Sequence, residues 1–295
     1  FYVAGQLSAG GTLLSGLLDI DYSTAVIAVT VVTIVYVTLG GLFADVYTSI
    51  GQTCLMMFAG VIVFLSGFFF FKGGITEVST IIAARDPLLT AVINPKSLHM
   101  YSYATVFGVI LIEFAFSGQP QLLTKILALK DPKDMKKMIW TWIVASFCCM
   151  LVIFGGLYML ALNPDLQQPD YAVVEYVRAY FHPIISTLLA VSIVAALMST
   201  ACGLLLVMMT KILPAVFGII CVLMTLHPPQ FMGVMVWIGI SGVASATLAP
   251  MLIAIIWPER INATAAIWGA IAGEATYMVV YLFTNIEKSV MAAGA

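Results

Sequence analysis

The uncharged runs of this chain constrain its fold more than any motif does. From Pro183 to Thr210 there is no Asp, Glu, Lys or Arg. A bilayer core of roughly 30 Å is crossed by about 20 apolar residues in a helix, and such runs recur along the sequence. Nine candidate spans can be drawn, at roughly 1–18, 23–40, 44–71, 101–124, 138–162, 180–210, 212–226, 232–256 and 264–285. Charged residues make up 9% of the chain, against about 25% in soluble domains, and mean hydropathy is +1.09. A water-soluble fold is excluded. Backbone polar groups must be satisfied internally in lipid, which leaves helices, so the fold class is all-α and polytopic, one transmembrane domain over residues 1–295.

Orientation follows from basic loops. "KILALKDPKDMKK" (125–137) holds five lysines and is expected to face the cytoplasm, with the acidic "NPDLQQPDYAVVEY" (163–176) outside. Residues 75–95 and 169–181 read as amphipathic helices near the outer surface. The chain opens mid-hydrophobe at "FYVAGQLSAGG", which reads as a piece of something longer. "LLLVMMTKILPAVFG" joins two spans with almost no polar residue, although helix connections usually take a few. A segment missing between Thr210 and Lys211 is the favoured explanation.

Soluble chemistry finds no foothold. No HExxH, GxSxG or Gly-rich phosphate loop occurs, so no catalytic residue is assigned and an enzyme is not expected. The net charge of −2 gives no reason to invoke nucleic acid. Cys54, Cys148, Cys149, Cys202 and Cys221 lie in apolar runs and read as small buried hydrophobes. His99, His182 and His227 fall near span ends, as interface anchors do.

Interruptions of the helices carry what functional signal there is. In "YATVFGVILIEFAFSGQPQLLTK", Pro120 removes a backbone donor and clashes with the preceding turn. Carbonyls near Phe116 and Ser117 are expected to be freed, which lipid tolerates only beside protein or a watery cavity. Secondary transporters build midplane sites from such broken helices; a plain proline kink is the other reading. Glu113, earlier in the same span, is an intramembrane acid and so a functional candidate. Glu274 is a weaker one, beside a Gly269-xxx-Gly273 spacing suited to close helix packing. In "AALMSTACG", Ala196, Ser199 and Thr200 stand at i, i+3 and i+4 on one face. They are either helix glue, with hydroxyls bonded back one turn, or part of a site for a hard cation, which prefers oxygen ligands.

Four blocks together resemble the sodium:solute symporter family of proline, pantothenate and sugar cotransporters. They are "GGLFADVYTSIGQTCLMM" (40–57), "FSGQPQLLTKILALKD" (116–131), "AALMSTACGLLLV" (195–207) and "GVASATLAPMLIAIIWPERINATAAIWGAIAG" (242–273), in the family's order. The resemblance implies an inverted-repeat, leucine-transporter-like fold with about nine of its transmembrane helices present. Residues 1–71 would close the first repeat, 101–256 form the second, and 264–285 add a C-terminal helix. On this resemblance the family's leading helices are expected to lie outside this sequence. It also implies Na⁺ bound at Ala196, Ser199 and Thr200, substrate binding by Gln119 with Phe116 as a gate, and a hinge at Pro250; Glu113, as an intramembrane acid, joins Phe116 and Gln119 as a substrate-binding or gating candidate. Ser49 departs from it, since an acid tied to sodium use usually stands there; Asp45 lies one turn earlier.

The expected function is Na⁺-coupled import of a small polar solute, such as an organic acid, amino acid or pantothenate-like compound, by a multi-pass protein of the cell membrane. Its partners are then that solute and the lipid bilayer. A transporter-like sensor or structural subunit is the alternative, and a first broken helix in the complete N-terminus would discriminate the two.

Overall fold

The first helix, α1 (Tyr2–Leu18), stops at Asp19, whose φ of 53° is left-handed. Two residues on, the Asp21 carboxylate accepts from the Ser23 and Thr24 backbone N–H groups at 2.9 and 3.3 Å and starts α2 (Tyr22–Phe70), as N-cap acids do. In this computed structural model the chain is described over residues 2–97, 100–166, 169–207, 213–226 and 232–283. His99, His227, Lys211, and the expected gap between Thr210 and Lys211, lie outside the described residues.

A straight helix of 49 residues would be about 74 Å long at 1.5 Å per residue, more than twice the hydrocarbon thickness. Gly41 breaks it, with φ 58° and ψ −157°, an angle pair that only glycine adopts freely. The result is two membrane-length pieces, Tyr22–Gly41 and Asp45–Phe70, matching the two expected spans.

The remaining helices are α3 (Gly74–Arg85), α4 (Tyr103–Phe116), α5 (Pro120–Leu127), α6 (Met135–Met150), α7 (Ile153–Leu162), α8 (Ala172–Tyr180), α9 (Pro183–Leu206), α10 (Leu213–Thr225), α11 (Met232–Ile256) and α12 (Ala263–Phe283). No strand occurs among the described residues. Among the described residues seven stretches are long and apolar enough to cross a membrane; α1 and α10 are shorter. The segment expected over 169–181 appears as α8, whereas of the one expected over 75–95 only the first part is helical, as α3; Asp86 is extended and Pro87–Thr90 forms a 3₁₀ turn. The expected single span 138–162 is bent where α6 meets α7. There the hydrogen bonds tighten to i→i−3, Leu151 N–H to Cys148 O and Val152 N–H to Cys149 O, both 3.3 Å.

Contacts divide the chain into two compact units. One holds residues 1–2, 91–128 and 233–295, the other 3–90 and 129–232. In the larger unit, Tyr158 and Tyr176 are fully buried beside Val63, Phe71 and Leu189. The Tyr158 hydroxyl donates to Phe64 O at 2.9 Å, and the Tyr176 and Ser66 hydroxyls bond at 2.7 Å. Burial pushes the Tyr176 phenol up to about 12, so it remains a neutral hydroxyl. Two arginines from the amphipathic segments close helix ends. Arg85 donates to Leu160 O and Ala161 O at the end of α7, and Arg178 to Gly16 O near the end of α1. Cations at a helix C-terminus satisfy its last carbonyls and oppose its dipole. Nearer the other end of α1, the Tyr22 hydroxyl bonds Ser8 at 2.7 Å and donates to Thr225 O of α10 at 3.0 Å.

In the smaller unit, Ile112, Ala115 and Ala244 form the α4–α11 core. Tyr277 of α12 donates to Ile238 O of α11 at 3.0 Å. A Cβ on Gly273 would stand 2.1 Å from Ser245 O, so the Gly-xxx-Gly spacing does mark a close helix contact. Outward faces are greasy in both units, with Leu39, Phe69 and Phe283 each more than 80% exposed. Such faces suit lipid as solvent.

Gly60 on α2 makes the same kind of approach: an added Cβ would lie 2.1 Å from Cys148 O, at the α6–α7 bend. Gly51, on the same helix, has nothing within 4 Å. Gly60→Ala is therefore expected to cost about 1–3 kcal/mol by overpacking and to lower the thermal midpoint of the detergent-purified protein, whereas Gly51→Ala leaves it unchanged or raises it slightly. Equal midpoints for the two variants would contradict this packing.

Candidate functional site

Two sets of residues stand out, one in each unit. In the larger unit, α9 starts at Pro183, whose missing N–H is no loss at a first helical position, with His182 accepting from Ile184 N–H as the cap. Three and a half turns further on come Ala196, Ser199 and Thr200, all half-buried. The Thr200 hydroxyl donates back to Ala196 O at 3.2 Å. The Ser199 hydroxyl turns the other way, to the Ser49 hydroxyl on α2 at 3.0 Å. Further down the contact Val37 packs with Cys202 and Leu205, so α2 and α9 meet on both sides of the Gly41 break. Four oxygens thus stand in two close pairs on facing helices.

Thr200 satisfies the helix-glue reading and serves the cation reading at once. Its back-bond holds two oxygens at a separation that one cation would also impose: oxygens at about 2.3–2.6 Å from a hard cation lie about 3.2–3.7 Å from each other at right angles. Asp45, one turn before Ser49 on α2, is 2% exposed, and the Gln52 Oε1 atom, one turn after it, is buried without a hydrogen-bond partner. A carboxyl group and a further amide oxygen therefore lie along the same face of α2. Among the described residues no cluster of three or more His, Cys, Asp or Glu side chains gathers.

In the smaller unit the expected break is present. Helix α4 begins on a reciprocal cap, with Ser102 accepting from Thr105 N–H and Thr105 Oγ1 from Ser102 N–H, and it ends at Phe116. Helix α5 begins at Pro120 with Gln119 as its N-cap. The expectation of freed carbonyls is corrected in part. Phe116 O accepts from Gln119 N–H at 3.1 Å, and Ala115 O from Gly118 N–H at 3.0 Å, so a tight 3₁₀-like turn takes them up. Helix α11 helps: the Thr247 hydroxyl lies 3.0 Å from Ala115 O and 2.8 Å from Val243 O of its own helix, sharing one proton between them. Gly118 packs under Met251, where an added Cβ would stand 3.1 Å from sulfur.

Around this turn Gln119 is buried, 7% exposed, and Gln121 donates from its amide to the Gln119 side-chain oxygen. Phe116 is half-buried and meets the Tyr2 ring edge-on, 5.5 Å between centroids. Glu113 is exposed on α4, so the structure does not gather it with Gln119. Sequence reasoning missed Ser49 as the partner of Ser199, Thr247 as the donor at the break, and Gln121 as the partner of Gln119. A Gln-Pro-Gln triplet at a helix start was the available signal for the last of these.

The chain has recognisable relatives. It is 25% identical over 320 residues to the osmoregulated proline transporter OpuE of Bacillus subtilis, covering 98% of this chain and 63% of that protein. It is 29% identical over 216 residues to the high-affinity proline transporter PutP of the same organism, covering 70% and 44%, and 23% identical over 314 residues to the sodium/proline symporter of Salmonella typhimurium, covering 94% and 61%. The chain thus spans less than two thirds of the length of these relatives. The sequence profile of one family matches residues 1–213, a stretch that takes in both the α4–α5 break and the Ala196–Thr200 turn. Together with seven membrane-length helices among the described residues, that match makes the chain a multi-pass membrane protein of the sodium:solute symporter family.

Proposed function

We propose that the protein is a Na⁺-coupled symporter of the cell membrane that imports a small polar solute, an amino acid or a related organic acid. The observation that carries this reading is two close pairs of oxygens at the α2–α9 contact: within α9, Thr200 Oγ1 with Ala196 O at 3.2 Å, and across the contact, Ser199 Oγ with Ser49 Oγ at 3.0 Å. Ala196, Ser199 and Thr200 are the sodium ligands of the proposal, with Ser49 as an added hydroxyl in place of a carboxylate. The names of the relatives, proline transporters and a sodium/proline symporter, support both the ion and the solute class. Gln119 and Phe116, at the broken helix, are the solute-side candidates; Glu113, exposed on α4, stands for gating rather than contact. The inverted-repeat arrangement, with residues 1–71 and 101–256 in the two repeats, belongs to the same proposal.

Coupling in such a protein is a matter of differential affinity. Sodium favours one conformation only by binding it more tightly than the others, and the solute gains whatever affinity that conformation offers. A site of neutral oxygens suits this role. It binds a monovalent ion weakly enough to release it on the far side, where a cage of carboxylates would retain it.

Uptake of radiolabelled L-proline into proteoliposomes carrying the full-length protein tests the proposal. Uptake is expected to require an inward Na⁺ gradient, and Thr200→Ala is expected to raise the Na⁺ concentration for half-maximal uptake about tenfold or more, the loss of one good polar interaction at a charged group. Uptake indifferent to both sodium and Thr200→Ala sinks the site and the coupling together; sodium dependence without an effect of Thr200→Ala moves the ion elsewhere. A second measurement addresses Ser49. Ser49→Ala and Ser199→Ala are each expected to weaken sodium, and the double variant to lose less than the sum, because contacting residues couple. Strict additivity would mean that the two hydroxyls do not serve one ion.

A further inference from the structure

The amide pair at the start of α5 has an acceptor with nothing to accept. The Gln121 amide nitrogen donates to the Gln119 side-chain oxygen. The Gln121 Oε1 atom is buried and has no hydrogen-bond partner, although a buried polar atom left unpaired costs about 1–3 kcal/mol. Exchanging oxygen and nitrogen in both amides does not remove the problem. One N–H···O=C bond between two amides leaves one carbonyl oxygen over, whichever residue carries it. Native structures keep few such orphans, and each calls for an explanation.

Backbone does not supply a partner, nor does it compete for the role. Pro120 has no N–H. The Leu122 and Leu123 N–H groups both go to Gln119 O, at 3.1 and 3.2 Å. The acceptor for a donor on the solute therefore lies in the two side chains. Gln119, the N-cap, makes no side-chain capping bond and so keeps its amide for Gln121 and for a third group. Taken together, the pair presents one free acceptor and unused amide N–H donors.

We infer that Gln121 is a specificity-determining residue, its side-chain oxygen accepting a hydrogen bond from an amino or imino N–H of the solute while Gln119 fixes the orientation of the Gln121 amide. This rests on the proposed transport function and narrows its solute class to compounds bearing such a nitrogen, excluding plain organic acids. A site built to bond an N–H rejects an analogue lacking it far more strongly than a greasy pocket rejects a missing methylene, because the analogue leaves the acceptor buried and unpaired.

The experiment compares two probes in proteoliposomes of the full-length protein: L-proline, and tetrahydrofuran-2-carboxylate, which has the same ring with oxygen in place of N–H. Wild type is expected to favour L-proline by about a hundredfold or more in competition for Na⁺-driven uptake. Gln121→Leu is expected to cut that preference at least tenfold by weakening L-proline alone, with the half-maximal Na⁺ concentration unmoved. Gln121→Glu, which keeps an acceptor at the same reach, is expected to retain the preference. Undiminished discrimination in Gln121→Leu overturns the inference while leaving the transport reading intact, and so does a wild type that takes both probes equally. Absence of Na⁺-driven uptake of either probe by wild type brings down the proposed function, and this inference with it. Loss of all uptake in Gln121→Leu with discrimination also lost in Gln121→Glu would assign Gln121 to structure and overturn its recognition role.

Discussion

Hydrocarbon offers no hydrogen bonds, and this one deficiency dictates how the chain interrupts its helices. Each interruption carries its own replacement partners. Where α4 stops, a 3₁₀-like turn and the Thr247 hydroxyl of α11 take the carbonyls of Ala115 and Phe116. Where α6 bends into α7, the ladder tightens by one residue rather than opening. At the ends of α1 and α7 the last carbonyls are met by arginines reaching in from α8 and α3. Unpaired backbone groups would cost several kcal/mol each in lipid, so at these breaks the donor comes from the local turn or from a neighbouring side chain.

Close approach of helices follows from the same solvent. Lipid is as apolar as leucine, so helices gain nothing by hiding greasy faces from it and associate through contact between backbones. Gly60 against Cys148 O and Gly273 against Ser245 O are contacts that no side chain would allow. Large apolar residues such as Phe69 and Phe283 meanwhile face outward, the reverse of a soluble core. Polar side chains turn inward: Asp45, Thr33 and Ser192 are all buried.

Much of this was legible in the sequence because the bilayer imposes a coarse, regular ruler. Spans, the break at Gly118-Gln119-Pro120, the amphipathic segment at α8, the helical part of the other and the α11–α12 glycine contact follow from run length, proline and small-residue spacing, which are local. The pairing of Ser49 with Ser199 was not legible. The two residues are 150 apart in sequence, and Ser49 drew notice only as a lost acid. Nor was the help that Thr247 gives to Ala115 O at the break, because the two residues are 132 apart in sequence. The α6–α7 bend has no proline to announce it; it coincides with the approach of a glycine from another helix. What one sequence hides, in each case, is the identity of the neighbour.

The Tyr22 hydroxyl joins three helices through a single oxygen, bonded to Ser8 on α1 and to the Thr225 carbonyl on α10. A phenol is rigid beyond its two side-chain torsions, so the separations of these helices at that level are tied to one another. α10 cannot tilt away from α1 there without breaking a bond in an apolar setting. Separating those three helices at that depth breaks a hydrogen bond, whereas at Gly41, the left-handed break in α2, an added Cβ would meet nothing within 4 Å among the described residues.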